Sequence, residues 1–196
     1  MAKDPVVSNH KYTLFGIIVS NHARVEHGFR STLGKMLHIP EEIALHVAAP
    51  YTTTHLRNVL YSVAKIVLHN EPKLRDQLIQ IVGRQKALDA VRHDIAHNMW
   101  ARGSIPGNIR AWRVDVREGK GAFSGFNKAA AEYNDQELEK LARDSVGLNK
   151  QMIAYWDSAV FAAAMAKKTD LASLDIDPIL GISTSARSSP SSPTQP

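Results

Sequence analysis

The chain contains no cysteine. That single absence excludes disulfide scaffolds, thiol nucleophiles, cysteine-based zinc sites and iron–sulfur clusters. Any catalysis must run on histidine, carboxylate, hydroxyl, lysine or arginine side chains. Long apolar runs are missing too: near the amino terminus the longest is Leu14 to Val19, with no basic stretch leading into it. Neither a secretory leader nor a membrane span is therefore expected, and the expected location is the cytoplasm. No P-loop pattern occurs, and no GxGxxG follows a strand, so a glycine-rich phosphate cradle is not expected. Internal repeats are absent. What is present is 196 residues with 44% hydrophobic and 22% charged positions, enough for one compact domain with a real core. The formal net charge of +5 leans toward an anionic partner.

Apolar periodicity predicts an all-α antiparallel helical bundle of about five helices, with a small β-hairpin inserted before the last helix. Leu14, Ile18, Val25, Phe29, Leu33 and Met36 form the stripe of a long first helix over about 12–37, and two polar residues, His22 and Glu26, fall on or beside it. A short helix is expected from Pro40-Glu41-Glu42 to before Pro50. Thr52 to Thr54 offer N-caps for a third helix reaching about Leu68. A fourth is expected from Pro72 to about Asn98, with Gly83 as a possible bend or break. Arg110 to Val116 then alternate in polarity, and a turn at 118–121 followed by Ala122-Phe123 predicts a hairpin at about 109–126. The last helix is expected from Asn134 or Asp135 to about Lys167, with Gly147 as its weak spot. The domain so defined spans 12–167. Residues 1–11 form an N-terminal extension, and 168–196 a tail expected to be disordered from about 184, where apolar content is too low to offset ordering entropy.

The densest group of reactive side chains is Arg92-His93-Asp94-Ile95-Ala96-His97-Asn98, at the end of the fourth helix. An arginine, a polar residue directly after it, and a histidine four residues beyond that resemble the signature of the HEPN domains (higher eukaryotes and prokaryotes nucleotide-binding), and the Ile-Ala-His step resembles that family's common form. The resemblance implies a helical bundle, pairing as a homodimer with two motifs facing across a cleft, and metal-independent cleavage of RNA. It further implies a candidate effector of a toxin–antitoxin or defence system, with an antitoxin or regulatory protein as partner. No cofactor or metal is implied. Many members of the family keep the motif for packing and binding only.

The residue types suit that chemistry. Cleaving RNA by its own 2′-hydroxyl needs a proton acceptor with a near-neutral pKa and a cation for the charge that builds on phosphorus. His97 is the candidate general acid or base. Arg92 is the candidate phosphate clamp, because its forked guanidinium is always charged. His93 would orient the phosphate or His97, Asp94 could fix an imidazole tautomer, and Asn98 is a further supporting polar group. Glu26 is the expected carboxylate partner of Arg92. Residues five apart on an ideal helix lie about 140° apart around the axis, so Arg92 and His97 converge only with an irregular helix end or a second subunit.

Plainer readings stand beside these. Arg92 could simply close an ion pair with Glu26 or Asp89. His97 could be a helix-end histidine favoured by the macrodipole, and His93 and Asp94 could be a solvated face. The whole motif could then belong to a non-catalytic binding or dimerisation module. His93 and His97 also have the spacing of a zinc-binding pair in a metal-dependent hydrolase, with His69, His22 or Glu26 as distant candidates for a third ligand. Arg110, Arg113, Arg117 and Lys120, near Trp112, are the candidate nucleic-acid contacts, with basic groups on phosphates and an aromatic ring for stacking. Met152, Tyr155, Trp156 and Phe161 read as core or dimer packing.

Overall fold

The computed structural model describes residues 7–112 and 131–167. Among them six helices and three short strands follow in the order α1 (Asn9–Met36), α2 (Glu41–Ala48), α3 (Thr53–Val67), α4 (Pro72–His97), β1 (Met99–Arg102), β2 (Ile109–Trp112), β3 (Glu132–Tyr133), α5 (Asp135–Trp156) and α6 (Ala159–Ala166). The protein is a helical bundle with a small β insertion, as its periodicity predicts. No described helix is long and apolar enough to cross a membrane.

Local chemistry explains the helix limits. Ser8, Thr52, Asn134 and Ser158 each accept a hydrogen bond from a backbone amide in the first turn of the helix that follows. At α5 the Glu137 side chain returns the bond to the Asn134 amide, completing a capping box. After α1, His38 adopts a left-handed conformation with φ 52° while Ile39 N donates to Gly34 O at 3.1 Å, closing the helix end. Gly34 also lets α2 approach: a Cβ there would sit 2.6 Å from the Ala44 Cβ.

α5 lies along α1, and α3, α4 and α6 complete the main core around Phe29, Leu60, Leu78, Leu148, Met152 and Phe161. A second core joins the start of α1 to the sheet and to α5 through Phe15, Ile18, Ile109, Tyr133 and Leu138. Phe15 and Trp100 rings pack there at 4.7 Å.

Three expectations change. First, the strand pairing is shifted upstream: β1 pairs antiparallel with β2, Met99 opposite Trp112 and Arg102 opposite Ile109, and β2 pairs with β3, Arg110 opposite Glu132. Gly103, Pro106 and Gly107 do more than stop a helix. They build the hairpin turn, with Gly107 at φ 87° and Gly103 N donating to Asn108 O at 2.9 Å. The expected turn at 118–121 and the return strand at 122–123 lie outside the described residues. Second, the last helix is two, because Ser158 caps a new start after α5 ends at Trp156. Third, the expected N-terminal extension already contains the first turn of α1, and Lys11 is buried there, pairing with Asp135 at 2.5 Å and donating to Gly107 O at 3.0 Å. α4 and α5 run unbroken through Gly83 and Gly147.

Candidate functional site

The motif occupies the last turns of α4. Asn98 leaves the helix in an extended conformation, φ −102° and ψ 154°, while its amide still donates to Asp94 O. The Asp94 carboxylate accepts from Asn98 Nδ2 at 2.9 Å and from the Tyr133 hydroxyl at 3.2 Å. Both of its oxygens are thus engaged in tying the end of α4 to β3, and its expected role in fixing an imidazole tautomer is corrected to that of a structural tie. Burial first, and the Asp94 charge second, push the Tyr133 hydroxyl up to about 12, so it remains a donor across the neutral range.

Arg92 and His93 line a groove of about 510 Å³ between this end of α4 and the start of α3. Thr52, Thr53, Thr54 and Arg57 form its α3 side, and Lys86, Asp89, Ala90 and Asp94 lie beside Arg92 and His93 on α4. Those α4 residues sit three and four apart, which puts them on one helical face. His97 does not line the groove. It lies exposed one turn beyond His93, with the two imidazole rings 4.8 Å apart at 49°. The fold therefore brings Arg92 to His93, and His93 to His97, but gives Arg92 and His97 no direct contact, as their angular separation predicts.

Glu26 is not the partner of Arg92. It accepts a hydrogen bond from the Thr53 hydroxyl and faces His22 Nδ1 at 3.6 Å. The reason is electrostatic: Glu26 sits at the positive end of α3, where a carboxylate is favoured. Among the described residues Arg92 makes no ion pair with any carboxylate, and neither does Lys86. Arg57 takes the pair instead, with Nη1 3.1 Å from Asp89 Oδ2.

From Arg57 and Asp89 on the groove wall a polar cluster outside the motif runs inward to Gln85 and His22. His22 and Arg57 are each less than a tenth exposed and Gln85 is fully buried. Arg57 Nη1 also donates to Gln85 Oε1 at 2.7 Å, and Nη2 donates to Thr54 Oγ1 at 3.0 Å. Gln85 Nε2 lies 2.7 Å from His22 Nε2, which is also 3.2 Å from Asp89 Oδ1. Burial holds the His22 pKa below its ordinary 6.5, outweighing the opposing pull of Glu26 and Asp89 and aided by Arg92 and Arg57. A signal was in the sequence: His22, Arg57 and Gln85 all stand on helix faces filled mainly by apolar residues.

The other candidates fare differently. Arg110 is spoken for within the sheet, its Nη2 2.9 Å from Glu132 Oε2. Glu132 also accepts from the Ser104 hydroxyl and the Ile105 amide, and these partners, Arg110 first, hold its carboxyl down to about 2. Trp112 is the last residue of β2. Arg113, Arg117 and Lys120 lie outside the described residues. Among the described residues no three histidine or carboxylate side chains are grouped as a metal ion would need, so His93 and His97 have no third ligand there. Two larger hollows, of about 540 Å³ between α1 and α5 and about 860 Å³ beside the start of α4, contain no residue of the motif. Compared with protein-family models, with curated proteins and with solved structures, the chain matches none.

Proposed function

We propose that the protein is a HEPN-like, metal-independent endoribonuclease that works as a homodimer and holds a phosphodiester in the α3–α4 groove. The observation that carries this reading is the Arg92 guanidinium, unpaired with any carboxylate among the described residues, beside His93 in that groove, with the His97 ring in contact with His93. Arg92 would hold the non-bridging oxygens as charge builds on phosphorus. One imidazole would accept the proton of the RNA 2′-hydroxyl as its oxygen bonds to phosphorus. The other, protonated, would give its proton to the departing 5′-oxygen as that bond breaks. The products are a 2′,3′-cyclic phosphate and a 5′-hydroxyl, with no oxidant, metal or water consumed. A second subunit would bring another His97 toward the groove, supplying the convergence that one α4 lacks.

The test is cleavage of a labelled single-stranded RNA in EDTA by the wild type and by Arg92→Ala, His93→Ala and His97→Ala. The expected losses are at least about 100-fold for each, the scale of one acid–base or phosphate-clamping group. Undiminished cleavage by Arg92→Ala and His97→Ala would end the proposal. The same position of His97 outside the groove also supports a second reading, a non-catalytic dimerisation or binding module. That reading predicts no cleavage by the wild type and a lowered Tm in the same variants.

A further inference from the structure

Asp89 and Arg92 stand three apart on α4, a spacing at which aspartate and arginine ordinarily pair. Both line the groove, yet they form no ion pair; Asp89 turns to Arg57 on α3, which lines the groove with only about a tenth of its side chain exposed. We infer that Arg57 is a positioning residue for the proposed phosphodiester site: by neutralising Asp89 it keeps that carboxylate away from Arg92, leaving Arg92 free for phosphate. This inference rests on the function proposed above.

Donor logic shows that, among the described residues, Asp89 depends on Arg57 alone for a cation. A guanidinium only donates, so Gln85 must present its oxygen to Arg57, at 2.7 Å. The Gln85 amide nitrogen then faces His22 Nε2, at 2.7 Å, and the amide donates. His22 Nε2 is therefore the unprotonated acceptor, which leaves the proton of the neutral ring on Nδ1, 3.6 Å from Glu26 and without a hydrogen bond among the described residues. A nitrogen lone pair cannot donate to Asp89 Oδ1 across the 3.2 Å that separates them. What faces Asp89 from α1 is thus a neutral ring with no proton to offer, and the Arg57 guanidinium is the one cation in ion-pair contact with it among the described residues. Gln85 in turn fixes the guanidinium, and Thr54 holds its other arm. Without the Arg57 charge, Asp89 would be a free carboxylate a quarter exposed, one turn from the phosphate clamp. It would take Arg92 for itself and repel the ligand.

The experiment compares full-length wild type, Arg57→Gln, Arg57→Gln/Asp89→Asn and Arg92→Ala for binding of a fluorescein-labelled single-stranded oligoribonucleotide in EDTA, with crystal structures of the first two. Arg57→Gln should weaken binding about tenfold, and the double variant should return to within about threefold of wild type, because the competing charge is gone. A purely structural role for Arg57 gives no such rescue, so a double variant as weak as Arg57→Gln overturns the inference. The crystal structure of Arg57→Gln should show Asp89 paired with Arg92. If the two stay apart, the inference fails whether or not the protein binds RNA. Unimpaired binding by Arg92→Ala would instead overturn the proposed function, leaving the Asp89–Arg92 pairing to be judged by crystallography. Arg57→Lys, which keeps the charge, covers failure of Arg57→Gln to fold. It should bind within about threefold of wild type, and a loss as large as that of Arg92→Ala would contradict charge neutralisation.

Discussion

Replacing His22 should change how stability depends on pH, with a sign that the buried cluster dictates. In the folded chain the His22 imidazole lies among Glu26 on its own helix, Arg57 on α3, and Gln85, Asp89 and Arg92 on α4. Burial is the largest influence and holds its pKa below the ordinary 6.5. Between those two values the unfolded chain binds a proton that the folded chain refuses, so stability rises with pH through that window. The contribution is complete above 6.5 and drains away as pH falls from there through the folded value. One group can account for at most one proton, which limits its slope to about 1.4 kcal/mol per pH unit. Gln85 points a donor at His22 Nε2, so His22→Gln can keep an acceptor in place with no titration. Urea unfolding of wild type and His22→Gln at half-unit steps from pH 5 to 8 should give wild-type stability that falls more steeply below 6.5 than that of the variant. Parallel curves would refute the neutral, buried imidazole. A wild type that gains on the variant as pH falls would refute the direction of the shift.

Three further outcomes are expected. Phe29 is fully buried at the centre of the main core, so Phe29→Ala should cost about 3–5 kcal/mol in urea unfolding through the cavity it leaves. His38→Gly should stabilise by about 0.5–1 kcal/mol, because glycine takes the φ 52° conformation without the Cβ clash; an unchanged or lowered midpoint would count against strain at that turn. Glu132 contributes stability that is full above its ordinary 4.5 and lost as pH falls from there toward about 2. Glu132→Gln should therefore speed amide hydrogen exchange in β1 and β2 at neutral pH, and much less at pH 2.

The helices were legible because burial obeys their period. Leu14, Ile18, Val25, Phe29, Leu33 and Met36 mark one face of α1, and all six are buried. The sheet was half legible. Alternation in 110–116 revealed β2, whereas β1 hides because Met99-Trp100-Ala101-Arg102 has no period of its own and draws its order from contact with Phe15 and with β2. The break between α5 and α6 was masked by an apolar run, Val160 to Met165, that continues a helical pattern across Ser158. In the site, the motif itself could be read directly, since it is contiguous. Its surroundings could not: Arg57, Gln85 and His22 come from three helices, and only packing shows that Asp89 pairs with Arg57 while Glu26 bonds Thr53 and not Arg92. A polar residue on an apolar stripe was the available clue, and it marks burial without naming the partner.

The central claim is that the groove of Arg92 and His93, completed by His97, holds an RNA phosphodiester for attack by the neighbouring 2′-hydroxyl. Its most direct test pairs an oligoribonucleotide cut by the protein in EDTA with the same strand carrying a single 2′-deoxy substitution at the cut position, the products being weighed by mass spectrometry. The expected products are a 2′,3′-cyclic phosphate and a 5′-hydroxyl from the first strand, with binding but no cleavage at that position for the second. Equal cleavage of both strands, or cutting of neither, would contradict that claim.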